Sequence, residues 1–340
     1  MTDTQLPKRS LGKSGMDITV VGIGSWAMGG GGWAFSWGPQ DDRASEYAIR
    51  HALDAGINWI DTAAVYGLGH SEEVVGRTVR AIPEPDRPYI FTKCGLNWNS
   101  SNRMLPPLRD LRPERIREEC DNSLRRLGVE RIDLYQFHWP DETGTPVEDS
   151  WEVMVELIEQ GKVRAGGVSN FDVGLLERCE AIHHVDSLQP PFSLIERSVG
   201  GSQIPWCRDH STGVICYSPM QSGLLTDSFS RQRVAAMAED DWRRRDRNFT
   251  EPGLSANLAL RDALVPLARK HETTVAAIAI AWVLAWPGVT GAIVGARSPE
   301  QVDGWLPGGT VTLDIEDLDA IGEAITRTGA GRGPLSPERK

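Results

Sequence analysis

The chain lacks several features that would place it outside the ordinary globular enzymes and binding proteins. No apolar run reaches the roughly 20 residues that a membrane-spanning helix needs, so no membrane association is expected. The start, MTDTQLPKRS, lacks the apolar core of a secretory signal. The five cysteines are scattered and form no CxxC pair, which favours reduced thiols in a cytoplasmic protein over a disulfide framework.

A surplus of basic charge is also missing, because the formal net charge is -11. Proteins that bind nucleic acid through its phosphates usually show a basic face, so we predict no nucleic-acid partner. Three arginines at 243–245 form a cluster, but Glu239, Asp240, Asp241 and Asp246 surround it. We interpret the cluster as a solvated charged loop. An anionic ligand would then have to be bound by local groups.

What the chain does have is a regular alternation of two hydrophobic patterns. Short runs rich in β-branched and aromatic residues, such as 89–91, alternate with amphipathic segments such as 113–127. The alternation continues from about residue 20 to residue 325, which predicts a parallel sheet. About eight repeats without a clear midpoint favour a closed (β/α)8 barrel over an open doubly wound sheet. We expect one domain over 1–328 and a flexible tail over 329–340, which is rich in glycine, proline and charge.

Four stretches depart from the alternation. Residues 9–20 indicate a β-hairpin ahead of the first barrel strand, where it could plug the barrel bottom. The segments 29–42 and 220–256 are too long for simple connections, and long loops in a compact domain are usually functional or disordered. We expect these two segments and residues 96–111 to lie at the working face of the barrel, where they would determine the substrate.

The polar residues that end the apolar runs indicate where a site would lie. The second, third and fourth runs end in Asp61, Lys93 and His138, and Tyr66 follows Asp61 by five residues. Active sites of (β/α)8 barrels lie at the C-terminal ends of the strands, so these side chains should converge in one pocket. Strand ends border loops and are often polar in any case. That explains Lys93 and His138 less well, since both directly follow strongly apolar runs.

These four side chains together suit the reduction of a carbonyl group. A free tyrosine has a pKa of roughly 10, which is too high for efficient proton donation near neutrality. We expect the Lys93 ammonium to lower the pKa of Tyr66, with Asp61 holding the lysine charged and in place. His138 would orient a substrate oxygen. The alternatives are a loop tyrosine, a snorkelling lysine and a structural histidine; a metal site is disfavoured because no HxH or HxxE pair accompanies Asp61 and His138 at strand ends.

Eight motifs in order resemble the aldo-keto reductase superfamily. Any one of them is weak, but all eight at barrel-strand spacing, between about residues 9 and 325, are specific. The resemblance implies an oxidoreductase barrel with Tyr66 as general acid in reduction and general base in oxidation, assisted by Lys93, Asp61 and His138. The motifs are GIGSW at 22–26, DTAAVYG at 61–67, FTKCG at 91–95, QFHWPD at 136–141, GGVSNF at 166–171, SLQPPFSL at 187–194, CYSPMQSGLL at 216–225 and IVGARSPEQ at 293–301.

The same resemblance implies a nicotinamide cofactor, with NADP(H) preferred and NAD(H) possible. Residues at 169, 170 and 189 match the positions that hold the carboxamide, Tyr217 matches the aromatic that stacks on the nicotinamide, and 218–224 matches the loop that crosses the pyrophosphate. The predicted cofactor contacts are Gly24, Ser25, Trp26, Asp61, Ser169, Asn170, Gln189, Tyr217, Ser218, Pro219, Met220, Gln221, Ser222, Gly223, Leu224, Ile293, Gly295, Ala296, Arg297 and Gln301.

The adenosine end departs from the family pattern. Many members carry a lysine and a serine where Gly295 and Ala296 stand, and an asparagine where Trp305 stands. Arg297 therefore becomes the main candidate to bind a 2′-phosphate, because a guanidinium can form bidentate hydrogen bonds to phosphate.

Twelve tryptophans are many for this chain length, and several fall in or next to the predicted working-face loops. Packing between barrel and helices is one interpretation, and an aromatic pocket for sugars, aryl aldehydes or other apolar carbonyls is the other. The predicted substrate pocket consists of Trp26, Tyr66, Trp98, His138 and Trp139.

The sequence thus predicts an NADP(H)-dependent oxidoreductase that reduces aldehydes, ketones or sugar carbonyls and reversibly oxidises alcohols. The alternative is a nicotinamide-binding regulatory or sensor subunit with little turnover, resembling the channel-associated branch of the superfamily. The complete set of four residues favours an enzyme. The partner is a small carbonyl or alcohol. The physiological substrate, the direction of reaction and the oligomeric state are not predicted.

Overall fold

A computed structural model describes residues 5–237 and 241–337, so Glu239 and Asp240 of the predicted charged loop lie outside the described residues. Eight parallel strands form a closed barrel in the order β10-β11-β12-β3-β4-β5-β8-β9. The predicted (β/α)8 barrel is confirmed, because the last strand pairs with the first barrel strand and leaves no open edge. The strands are β1 (Lys8–Ser10), β2 (Asp17–Thr19), β3 (Val21–Gly24), β4 (Trp59–Asp61), β5 (Tyr89–Cys94), β6 (Leu96–Asn97), β7 (Leu108–Arg109), β8 (Ile132–Phe137), β9 (Val163–Ser169), β10 (Ser187–Gln189), β11 (Gly213–Tyr217) and β12 (Val289–Gly295).

Helices cover the outside of the barrel and begin and end where local chemistry dictates. Helix α3 begins with Pro113, which needs no N–H partner in the first turn, and ends at Gly128, whose φ of 67° suits glycine. The helices are α1 (Asp42–Asp54), α2 (His70–Arg80), α3 (Pro113–Leu127), α4 (Val147–Glu159), α5 (Val173–Glu180), α6 (Gln203–His210), α7 (Arg231–Ala235), α8 (Gly253–Ala263), α9 (Val265–Lys270), α10 (Val275–Leu284), α11 (Pro299–Trp305) and α12 (Ile315–Thr328).

The antiparallel hairpin of β1 and β2 closes one end of the barrel, as the sequence predicted. Leu11 and Met16 from its turn, together with Ile18, are fully buried. They pack with Trp59 and Phe91 in a core cluster inside the barrel. The hairpin therefore plugs the N-terminal end of the strands and leaves the C-terminal end for the loops.

The five cysteines are free thiols, and all of them are buried. They lie on β5, α3, α5, α6 and β11. Burial raises the pKa of Cys120 and of Cys179 to about 12, and it raises the pKa of Cys94 well above its usual value. Within the described ranges, every helix is too short or too polar to cross a bilayer.

The segment after α12 contacts the loop that follows β10. The buried guanidinium of Arg197 donates to the carbonyls of Pro334 (3.0 Å) and Ala330 (3.2 Å). Arg332 forms an ion pair with Glu196 at 3.0 Å. The start of the predicted tail is thus seated on the barrel, its predicted flexibility stays a prediction, and 338–340 lie outside the described residues.

Candidate active site

A buried ion pair joins the ends of β4 and β5. The Lys93 Nζ donates to Asp61 Oδ1 at 2.6 Å and to the Thr62 carbonyl at 2.8 Å. The second carboxylate oxygen of Asp61 accepts from Gln189 Nε2 at 2.9 Å, so both oxygens are hydrogen-bonded. Parallel strands of one barrel bring these residues together from distant parts of the sequence, as the strand-end pattern indicated.

Tyr66 lies on a tight turn after β4, above this ion pair. Its ring centroid is 5.2 Å from Lys93 Nζ and 5.7 Å from the His138 ring centroid. The turn continues at Gly67 with a φ of 63°, and a side chain there would meet the Gly29 carbonyl oxygen at 2.1 Å. Glycine is therefore required at this position for the turn that presents the tyrosine.

The electrostatics of the site differ from the sequence-based expectation at Tyr66. Burial, reinforced by the Asp61 charge, raises the pKa of Tyr66 well above its usual value of 10.0. The predicted lowering of the Tyr66 pKa by Lys93 is wrong, because the ammonium is paired with Asp61 and desolvation of the phenolate dominates. Burial raises the pKa of Asp61 and lowers the pKa of Lys93, and their mutual attraction opposes both shifts.

His138 follows β8 and faces the tyrosine. Burial, followed by the neighbouring Lys93 charge, lowers the pKa of His138 well below its usual value of 6.5. At neutral pH the site therefore presents a protonated phenol and an uncharged imidazole. A phenol can give up a proton and an imidazole N–H can donate a hydrogen bond, so both groups are in the form that carbonyl reduction requires.

Tyr66 and His138 open into a large cavity of about 910 Å³ at the loop end of the barrel. Most of the predicted site residues line this one cavity. The predicted residues that line it are Gly24, Trp26, Asp61, Tyr66, His138, Trp139, Ser169, Asn170, Gln189, Tyr217, Ser218, Pro219, Met220, Ser222, Gly223, Ile293, Gly295, Ala296, Arg297 and Gln301.

Three predicted cofactor contacts, Ser25, Gln221 and Leu224, do not line the cavity. The buried Ser25 hydroxyl donates to the Asp61 carbonyl at 3.1 Å. The side chain of Gln221 accepts from the Ser193 hydroxyl at 2.8 Å, and Leu224 is fully buried in the core. The structure thus engages these side chains with other parts of the protein.

Two further predicted residues lie beside the cavity. Lys93 is buried beneath it and meets it through Asp61 and Tyr66. Trp98 lines a smaller depression of about 370 Å³ together with His70. The structure therefore places Trp26 and Trp139 in the main cavity and Trp98 in the smaller depression.

Amide and hydroxyl groups form one wall of the cavity. The Tyr217 hydroxyl donates to Asn170 Oδ1 at 2.8 Å, and Asn170 Nδ2 donates to the His138 carbonyl at 2.9 Å. The Ser169 hydroxyl donates to the Gln189 carbonyl at 2.7 Å. These bonds tie the ends of four barrel strands together and fix the side chains that the sequence assigned to a carboxamide.

The loop after β11 has an unusual backbone. Ser218, Gln221 and Ser222 have φ values of 56°, 45° and 53°, in the left-handed region that non-glycine residues seldom adopt. Such strain persists only where surrounding structure enforces it, and it clusters at ligand sites. The distorted segment coincides with the stretch predicted to cross a pyrophosphate.

Arg243 is a cavity residue that the sequence analysis missed. Its side chain is only 12% exposed, forms an ion pair with Asp241 at 2.7 Å and donates to the Ser222 carbonyl. Its guanidinium lies 4.5 Å from the Trp37 ring centroid. The interpretation of this cluster as a solvated loop is therefore wrong for Arg243, because the long loop folds back over the cavity. An arginine next to a tryptophan in that loop, at Trp242, was the available signal.

A group of aromatic rings joins the two long loops. Trp26 stacks on Trp242 with centroids 5.8 Å apart and meets Trp37 edge-on at 5.3 Å. Trp26 also stacks on Tyr66 at 6.1 Å. The tryptophans of the working face thus form a connected wall that reaches Tyr66.

Arg297 is held by the first long loop. Its Nε donates to Gln40 Oε1 at 2.5 Å, and its Nη atoms donate to the carbonyls of Trp37 and Pro39. Burial and the nearby charge of Arg243 lower the pKa of Arg297. Two guanidinium groups from separate segments thus border the same cavity, which would suit an anion.

Known proteins resemble this chain over nearly its whole length. The sequence profile of the aldo/keto reductase family matches residues 21–326. The aldo-keto reductase YhdN of Bacillus subtilis is 36% identical, covering 97% of this chain and 96% of that protein. An NADH-specific methylglyoxal reductase of Escherichia coli is 31% identical, covering 95% and 100%.

A solved structure extends the similarity to three dimensions. The glycerol dehydrogenase of Gluconobacter oxydans is 36% identical, covers both chains completely and superimposes with a TM-score of 0.85. The family resemblance inferred from the eight motifs is confirmed. The chain therefore belongs to the aldo/keto reductase family of oxidoreductases.

Proposed function

We propose that the protein is an NADP(H)-dependent oxidoreductase that reduces aldehydes, ketones or sugar carbonyls, with Tyr66 as general acid. The observation that carries this proposal is the convergence of Tyr66 and His138, with ring centroids 5.7 Å apart, in one cavity above the Lys93–Asp61 ion pair. The same residues would serve alcohol oxidation in reverse. The five buried free thiols support a cytoplasmic location.

The proposed proton chemistry uses this chain's own groups. His138, neutral at pH 7, would donate a hydrogen bond to the carbonyl oxygen and orient it toward Tyr66. As the carbonyl carbon gains a hydride, the oxygen would take the phenolic proton and leave a phenolate. The buried Lys93 ammonium, 5.2 Å from the ring centroid, would stabilise that negative charge. Solvent then restores the proton.

The donor set fits a nicotinamide dinucleotide, which would supply the hydride. Asn170, Ser169 and Gln189 offer amide and hydroxyl partners for a carboxamide, and Tyr217 offers a ring beside them. The strained segment 218–222 leads toward the guanidinium groups of Arg243 and Arg297, which suit phosphate. The cavity of about 910 Å³ is large enough for such a ligand beside a small substrate.

A carbonyl assay tests the catalytic part of the proposal. We expect NADPH consumption with 4-nitrobenzaldehyde, and a loss of roughly 100-fold or more in kcat for Tyr66→Phe. NADPH binding, measured by quenching of tryptophan fluorescence, should persist in this variant. Tyr47→Phe is the matched control, because Tyr47 is 65% exposed on α1. Tight NADPH binding without turnover across a panel of carbonyls would instead support a sensor subunit.

The preference for NADP(H) rests on Arg297 and needs its own test. One relative is named as NADH-specific, so the choice of dinucleotide must be argued from this chain's residues. Arg297→Ala should raise the Kd for NADPH and leave that for NADH unchanged. Gln40→Ala is the matched control, because it releases the same loop contact but keeps the charge. Unchanged NADPH preference in Arg297→Ala would contradict the assignment.

A further inference from the structure

An ion pair lines the cavity beside the proposed catalytic residues. Arg109 Nη1 lies 2.6 Å from Glu142 Oε1, and both residues border the same cavity as Tyr66 and His138. The Arg109 guanidinium also covers the ring of Trp139 at 4.3 Å, and Trp139 directly follows His138 in the chain. The pair is thus connected through a single tryptophan to the residue that would orient the carbonyl.

The loop that carries Glu142 is held rigidly in place. Asp141 accepts hydrogen bonds from the backbone N–H groups of Leu111 (2.7 Å), Thr143 (2.7 Å) and Thr145 (2.9 Å). The Glu142 N–H donates to the Arg109 carbonyl at 3.0 Å. The carboxylate and the guanidinium therefore face the cavity from two backbones that are bonded to each other, which is the preorganisation that a binding site needs.

The charges of the pair restrict what it can bind. The guanidinium offers N–H donors and the carboxylate offers acceptors, and together they carry no net charge. An anionic substrate would bring its charge next to Glu142, whose carboxylate already satisfies Arg109 at 2.6 Å. A hydroxyl group can accept from the one and donate to the other. Apolar walls at Leu96 and Pro107 suit the carbon chain between such groups.

Fold stability offers no competing role for the pair. Arg109 and Glu142 are 36% and 54% exposed, and exposed ion pairs of this kind contribute little to stability. Indole rings such as Trp139 present an apolar surface to C–H groups alongside polar neighbours. We propose that Arg109, Glu142 and Trp139 form a hydroxyl-binding subsite that selects uncharged carbonyl compounds bearing hydroxyl groups near the carbonyl, such as short hydroxyaldehydes and aldoses. This inference rests on the proposed reductase function.

The test compares D-glyceraldehyde with propanal, which has the same three carbons and no hydroxyl groups. Arg109→Met and Glu142→Leu should each lower kcat/KM for D-glyceraldehyde about tenfold, the loss expected for a hydrogen bond to a charged group, and leave kcat/KM for propanal within about twofold. Because each substrate is compared with itself across variants, its hydration in water cancels. Glu156→Leu is the matched control: it breaks an exposed pair with Arg117, also at 2.6 Å, on the helices.

Two kinetic outcomes would overturn the subsite. Equal losses for both aldehydes would assign the pair to the shape of the wall. If the wild type reduces 4-carboxybenzaldehyde faster than benzaldehyde and Arg109→Met loses this preference, the ion pair serves anion recognition instead. Calorimetric titration of the wild type with glycerol and with 1-propanol gives a readout that needs no turnover. If no carbonyl is reduced but glycerol binds, and Glu142→Leu abolishes that binding, the reductase proposal fails and the subsite stands. If the protein neither reduces a carbonyl nor binds glycerol, both proposals fail.

Discussion

Lys93 Nζ lies 2.6 Å from Asp61 Oδ1, and the side chains are 0% and 3% exposed. Two opposite charges inside a barrel each lose the solvation that water provides, so each depends on the other to remain ionised. The additional hydrogen bonds, from Lys93 to the Thr62 carbonyl and from Gln189 to Asp61, complete the desolvated pair. Removing one partner leaves an uncompensated buried charge.

The first prediction follows for Lys93→Met. We expect the free energy of unfolding to fall by roughly 3–5 kcal/mol, measured by urea denaturation at pH 7. Lys162→Met is the matched control, since Lys162 pairs with Asp121 at the same 2.6 Å but both side chains are more than a third exposed. That variant should lose less than about 1 kcal/mol. Equal losses in the two variants would show that burial does not govern the Lys93 pair.

The second prediction concerns the pH dependence of the reaction. The pKa of Tyr66 is raised above 10.0, so the phenol keeps its proton at every pH below that value. The pKa of His138 is lowered well below 6.5, so the imidazole is neutral at pH 6.5 and above. We therefore expect neither group to titrate in the kcat/KM profile of 4-nitrobenzaldehyde reduction between pH 6.5 and pH 10, so a fall toward the alkaline end belongs to Lys93, whose pKa burial lowers. Oxidation of 4-nitrobenzyl alcohol needs the phenolate and should accelerate as pH rises. A midpoint at the acidic end of this interval would refute the neutral state assigned to His138.

The third prediction concerns Glu119, a buried carboxyl group on α3. Burial raises the pKa of Glu119 from 4.5 to about 8, although its carboxylate accepts from the Gly95 N–H at 3.2 Å. A pKa raised in the folded state means that the stability contribution is complete below pH 4.5 and is lost as pH rises toward 8.

Glu119→Gln should remove this loss. The free energy of unfolding of the variant minus that of the wild type should be larger at pH 8 than at pH 5. The increase should be on the order of a few kcal/mol, measured by urea denaturation at both pH values. Glu118→Gln, on the same helix but 58% exposed in its side chain, should leave the pH dependence as it is. A parallel response of the two variants would argue against a buried titration at Glu119.

The fourth prediction tests the arginine that the sequence analysis missed. Arg243→Gln removes the contacts with the Ser222 carbonyl and the Trp37 ring, and one positive charge from the cavity. We expect the Kd for NADPH to rise about tenfold, with a weaker dependence on salt concentration. Arg245→Gln, an exposed neighbour, is the control and should bind NADPH like wild type. An unchanged Kd in Arg243→Gln would remove this residue from the cofactor site.

The sequence was sufficient for residues whose position depends on the barrel alone. Each of three site residues ends or follows a barrel strand: Asp61, Lys93 and His138. Their proximity could therefore be predicted from the sequence, because strand ends converge at one face of a barrel. Arg243 could not be placed, because its position depends on how segment 220–256 folds back to Trp37. The pKa of Tyr66 was predicted in the wrong direction, since residue types alone do not show the depth of burial that raises it.

The five buried thiols can report local opening of the barrel. A thiol reagent can reach Cys94, Cys120, Cys179, Cys207 or Cys216 only when the surrounding element separates from its neighbours, because each thiol is at most 1% exposed. The labelling rate at each position therefore measures a local opening equilibrium. Because the five lie on different strands and helices around the ring, their rates would show which part of the barrel opens first and which opens only on complete unfolding.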